Sequence, residues 1–129
     1  MAYDRMRAEV AAPFGETVER VRAALAEQGF GVLTEIDVTA TLRAKLGAEM
    51  EDYLILGACN PPLAHRALET DRSIGLLLPC NVVVRSAGDH TVVQALDPQS
   101  MVDLTGLEAL KPVAAEATAR LEAALASLA

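Results

Sequence analysis

The chain has 129 residues, 52% hydrophobic and 22% charged, with two Tyr, two Phe and no Trp. This size and mixture describe one globular domain over residues 1–129 and exclude a disordered chain, and the core has to be built from Leu, Val, Ile and Ala. A formal net charge of −7 and a pI near 4.7 repel phosphate backbones and anionic bilayers, so neither nucleic acid nor a membrane is an expected partner.

Residues 3–10 read as a first strand, with Met6, Ala8 and Val10 alternating against Arg5, Arg7 and Glu9. Phe14, Val18, Val21 and Leu25 then recur at helical spacing, with Pro13 suited to the first turn and Gly29 to the left-handed position past the helix end. Phe30, Val32, Thr34 and Ile36 alternate as a second strand. Asp37 or Thr39 caps a short helix carrying Leu42 and Leu46 and closed at Gly47. Residues 53–59 (YLILGAC) are apolar on both faces, which predicts an interior strand. Asn60 followed by Pro61 starts a third helix whose buried side holds Leu63, Ala67 and Leu68. Residues 81–86 and 90–96 form two strands, joined as a hairpin across Ala87-Gly88-Asp89.

The last third is helical, striped by Leu107, Leu110, Ala114, Ala117, Leu121, Leu125 and Leu128. Pro112 fits the first turn of a helix starting near Lys111, or kinks a longer one. The order β-α-β-α-β-α-β-β-α predicts an α+β domain: a mostly antiparallel or mixed sheet with helices on one face. Its other face needs a cover, and a homodimer supplies one. The start Met1-Ala2-Tyr3-Asp4-Arg5 lacks the form of a signal peptide. The longest apolar run, residues 74–84, is about half a bilayer span and is broken by Pro79 and Asn81. The expected compartment is cytoplasmic, where both cysteines stay reduced.

Those two cysteines and one of the two histidines fall between residues 59 and 80. Cys59 ends a strand just before a helix start, where the partial positive charge of the helix can activate a thiol or hold an anion; alternatively it is a small buried side chain in a tight turn. Cys80 opens the next strand, and the thiols can approach if the two strands are neighbours. His65 and Glu69 lie one turn apart on the intervening helix, as an ordinary surface pair or as ligand and partner. Cys59, His65 and Cys80, with Glu69 or water as a fourth ligand, would make a zinc or iron site; otherwise no cofactor is expected. Asn60 and Asn81 serve the backbone or complete a ligand site with the cysteines and His65. Arg66 and Arg72 attract an anion or pair with Glu69 and Asp71. Asp97-Pro98 shapes a turn, and His90 sits exposed beside Asp89. The sequence contains no phosphate loop, nucleophile elbow or dinucleotide fingerprint.

The segments Gly29–Asp37 (GFGVLTEID), Gly57–Glu69 (GACNPPLAHRALE), Gly75–Val84 (GLLLPCNVVV) and Asp97-Pro98 with Met101, in that order, resemble the domain-of-unknown-function 302 family of small prokaryotic proteins. The resemblance runs from Phe14 to Met101. It implies an α+β fold and a homodimer, and implies no activity. The combined reading is a homodimeric domain that binds a small molecule or a protein partner without catalysis. The alternatives are a thiol- or metal-dependent redox protein using Cys59, His65 and Cys80, and a purely structural dimer module.

Overall fold

The computed structural model describes residues 3–129. Strands β1 (Met6–Val10), β2 (Gly31–Asp37), β3 (Tyr53–Cys59), β4 (Cys80–Ser86) and β5 (Thr91–Ala95) alternate with helices α1 (Phe14–Glu27), α2 (Val38–Leu46), α3 (Pro61–Thr70), α4 (Gln99–Thr105) and α5 (Lys111–Ala126). One antiparallel sheet has the order β1-β5-β4-β3-β2. The expected α+β order holds, with three additions: 3-10 turns at Arg72–Leu77 and Glu108–Leu110 and the short helix α4. The first strand begins at Met6 rather than at residue 3, and α5 starts at Lys111 with Pro112 in its first turn.

Alternation decides which side of the sheet is covered. Met6, Ala8 and Val10 of β1, Leu54, Leu56 and Ala58 of β3, Val82 and Val84 of β4, and Val93 and Ala95 of β5 are all buried. They pack with α1 and the C-terminal half of α5 in one core. A second core lies off the sheet's end, where Leu63 and Ala67 of α3, Met101 and Val102 of α4, and Val113, Ala114 and Ala117 of α5 meet Ile74. Helix α5 runs through both, so its apolar stripe joins the two clusters.

The opposite face of the sheet has no helix core. Across β3, β4 and β5 it presents Tyr53, Ile55, Gly57, Val83, Arg85 and Gln94. Ile36 extends this apolar surface and is 49% exposed. A β-bulge places Ile36 there: β2 pairs Val32 with Ala58 but Thr34 with Gly57, so Leu33 is an extra residue. Val32 packs toward the helices, whereas Thr34 and Ile36 turn to the open face. The simple alternation expected for Val32, Thr34 and Ile36 is therefore broken, because the extra residue shifts the side-chain period by one.

Helix α2 is attached by backbone and hydroxyl bonds more than by apolar burial. Asp37 caps it, accepting from Ala40 N–H at 2.9 Å, and Leu46 is left 75% exposed. Thr39 is not the cap. Its hydroxyl donates to Glu51 O (2.7 Å) and accepts from Tyr53 N–H (2.8 Å), which fixes the approach of β3.

Gly57 marks the tightest point of the open face. A Cβ there would meet Pro79 Cγ at 2.8 Å and press still closer on Thr34 Oγ1. Gly57→Ala is expected to destabilise the fold by about 1–3 kcal/mol through overpacking. A urea midpoint equal to that of the wild type would refute this account of the site.

Candidate functional site

The site is assembled where β3 ends and β4 begins. Antiparallel pairing puts Cys80 opposite Ala58, so Cys59 and Cys80 are near neighbours on adjacent strands. Both are free thiols, and both line a narrow crevice with Asn60, Phe30, Met101 and the facing sides of α3 and α5. The crevice lies at the junction of the two cores. Its free volume is about 20 Å³, room for one water-sized occupant. Burial pushes the Cys80 thiol above its ordinary pKa, and the neighbouring Cys59 adds to that shift.

Asn60 holds the corner together. Its Oδ1 accepts from Leu63 N–H (3.3 Å) and its Nδ2 donates to Gln28 O (3.4 Å), the carbonyl just past α1. Arg120 of α5 donates to the same carbonyl at 3.3 Å. Gly29, with φ at 82°, is required both by that left-handed angle and by the approach of Asn60, whose Nδ2 would lie 3.0 Å from an added Cβ.

The start of α3 is a poor anion trap. Pro61 and Pro62 carry no N–H. The next donor, Leu63 N–H, is taken by the Asn60 side chain, and Ala64 N–H bonds to Asn60 O at 2.9 Å. The helix end expected to hold an anion beside Cys59 has spent its hydrogen-bond donors on its own cap.

The other candidate residues are dispersed. His65 does not line the crevice; it pairs with Glu69 at 3.0 Å, both side chains more than half exposed. The set Cys59, His65, Cys80 and Glu69 is thus split, and among the described residues no three of His, Cys, Asp and Glu cluster as metal ligands. The cause is helical geometry, since Leu63 and Ala67 take the buried side of α3 and His65 lies between them in sequence. Asn81 is exposed and lines a different hollow on the open sheet face, with Tyr3, Tyr53, Val83 and Leu96.

Arg66 pairs with neither Glu69 nor Asp71. It reaches Glu116 of α5 at 3.2 Å, where Arg120 also bonds, and the two guanidiniums hold the Glu116 carboxyl below the usual carboxylate range. Asp97 accepts from Arg5 at 2.7 Å and from Gln99 N–H at 3.0 Å, so it shapes the turn into α4 as expected. His90 is more than an exposed turn residue. Its ring lies between Asp89 (2.8 Å) and Glu9 (3.2 Å), and these carboxylates raise its pKa while pinning the hairpin to β1. Met101, one wall of the crevice, was visible in the sequence only as an apolar residue of the family pattern.

Asn60→Ala removes both the α3 cap and the tie to Gln28. It is expected to cost about 1–3 kcal/mol, with Asn60→Asp, which keeps the cap alone, falling between. Chemical denaturation of the three proteins checks the order, and equal stability of Asn60→Ala and wild type would contradict it.

A family model described as "Domain of unknown function DUF302" matches residues 6–128. No curated protein matches the chain. Among solved structures, the crystal structure of an uncharacterized conserved protein DUF302 from Bacillus stearothermophilus is 34% identical. It superposes with a TM-score of 0.89 over 95% of this chain and 96% of that one. No helix of the described residues is long and apolar enough to cross a membrane. With a family match over nearly its whole length and a relative that shares its fold, the chain belongs to the DUF302 family.

Proposed function

We propose that this protein is a binding domain without catalysis, that its ligand site is the crevice between Cys59, Asn60 and Cys80, and that it works as a homodimer joined through the open sheet face. The observation that carries the ligand site is the crevice itself. It is walled by apolar side chains and two thiols at the seam of two cores, and the amide on its wall, Asn60, is committed to the backbone. Such a site selects by shape and softness, since it offers no charged side chain to anchor an ion by salt bridge. With about 20 Å³ available, the occupant is small.

The dimer rests on the other side of the sheet. Ile36, Ile55, Val83, Tyr53 and Leu96 form an apolar surface there, and a hollow of about 240 Å³ opens between Tyr3, Tyr53, Asn81 and Val83. A second copy, bringing the same apolar residues, is the complementary partner for such a face. The zinc or iron reading with His65 and Glu69 has no support in the placement of those residues.

Thermal unfolding against a panel of small neutral and thiophilic ligands tests the site. At least one is expected to stabilise the wild type saturably, by about 2.7 kcal/mol at a hundredfold excess over its Kd, and to have no effect on Ala64→Leu, whose side chain fills the crevice. A flat panel, or equal responses from both proteins, would defeat the ligand site.

Light scattering tests the dimer. The expected mass is twice 13.6 kDa, with Val83→Lys returning the chain to 13.6 kDa; a wild-type mass of 13.6 kDa at every concentration removes the dimer.

A further inference from the structure

The chain is poor in aromatic residues, and their placement is uneven. It has two Phe and two Tyr. Phe30 is buried in the sheet core and Phe14 packs against it, whereas both tyrosines line the hollow of about 240 Å³ on the open face. Tyr3 reaches it from the turn before β1 and is 69% exposed; Tyr53 opens β3 and is half-buried.

Strand register places the other walls. Tyr53 pairs with Arg85, Asn81 with Gly57 and Val83 with Gln94, so Tyr53, Asn81, Val83 and Gln94 all point away from the helices. Val83 and Leu96 add apolar surface to the hollow, and two side-chain amides on neighbouring strands stand beside it. The Gln94 oxygen accepts from Arg85 Nε at 3.2 Å, which orients the amide and leaves its NH2 to donate. Asn81 gives its backbone carbonyl to Leu96 N–H (3.2 Å), while its exposed side chain offers a donor and an acceptor side by side. Asp4 is the only charged side chain among the described residues lining the hollow.

We propose that this hollow binds one free purine base or neutral purine nucleoside, with its flat ring against the tyrosines and its polar edge on Asn81 and Gln94. The site is separate from the crevice and gives the open face a small-molecule ligand; in the proposed dimer the second copy lies across its mouth. The class of ligand follows from the wall. Phenol rings and an apolar floor favour a flat, weakly hydrated surface, and every base presents such a face for stacking. An Asn or Gln amide pairs bidentately with the N6/N7 edge of adenine, accepting from one atom and donating to the other. A volume below the roughly 300 Å³ of a drug-sized pocket suits a base better than a nucleotide. Phosphate is disfavoured by Asp4 and by the net charge of −7, and Arg85 is engaged with Gln94.

Isothermal titration calorimetry with adenosine tests the site, with ribose and adenosine 5′-monophosphate alongside. One adenosine per chain is expected, with the monophosphate about tenfold weaker and no heat from ribose. Asn81→Ala and Tyr53→Ala are each expected to weaken adenosine about tenfold or more. The absence of saturable heat from adenosine at millimolar concentration overturns the proposal, as does unchanged affinity in Asn81→Ala. Tighter binding of the monophosphate, or equal binding of ribose, refutes the assignment to a neutral base.

Circular dichroism checks that Tyr53→Ala folds; if it does not, Asn81→Ala, at an exposed position, decides. Adenosine binding that is lost in Ala64→Leu and kept in Asn81→Ala would put the base in the crevice and overturn the open-face site. Adenosine binding by a chain of 13.6 kDa supports the site and removes only the dimer, whereas a dimer indifferent to adenosine removes only the site.

Discussion

The structure depends on one shared acceptor, the carbonyl of Gln28. The carbonyls at the end of a helix have no partner within the helix, and a buried one must find a donor elsewhere. Here the donors are the amide of Asn60 and the guanidinium of Arg120, so α1, α3 and α5 meet at a single atom. The same Asn60 side chain caps α3 with its oxygen. Because Asn60 follows Cys59 directly, the bond that locks three helices also fixes the end of β3 and one wall of the crevice. Gly29 belongs to this arrangement, for any side chain there would push Asn60 away from its acceptor.

The electrostatic character of the crevice follows from two prolines. A strand-to-helix corner ordinarily presents a fan of N–H groups that favours phosphate or carboxylate. Pro61 and Pro62 delete the first two of that fan, and Asn60 consumes the next. The result is a corner with ordinary strand–helix geometry and little hydrogen-bonding capacity. Arginines nearby do not compensate, since Arg66 is paired with Glu116 and Arg120 divides its guanidinium between Glu116 and the Gln28 carbonyl. The protein's charged residues are paired around the crevice rather than in it.

Much of this was legible in the chain. The period-two pattern of Met6, Ala8 and Val10, the Asn60-Pro61 helix start and the Gly88 turn each encode local geometry in residue type, and each forms as the sequence predicts. The neighbouring positions of Cys59 and Cys80 were legible conditionally, because they required β3 and β4 to pair. Three features were not. The bulge at Leu33 has no local signature, since Leu is at home in any strand; it arises from register against β3. The short α4 lacks periodicity because seven residues make barely two turns. His65 looked close to the cysteines in sequence, yet the helix turns it to solvent because Leu63 and Ala67 claim the buried side. Met101 shows the converse: it is distant in sequence from Cys59 and adjacent in space, a contact that only packing of the second core creates.

The strand order carries a further consequence for how the chain acquires its shape. Residue 6 of β1 pairs with residue 95 of β5, and β1 has no other strand neighbour. Helix α1, which leaves β1, delivers the chain to β2 at the far edge. During synthesis the first strand therefore emerges with its apolar row unmatched and must wait for most of the chain before it can enter the sheet. Such long-range closure slows folding, because loop entropy is lost before the contact that compensates it exists. The short charged side of β1, Arg7 and Glu9, fits this delay: it gives the waiting strand a polar flank that discourages pairing with another nascent chain.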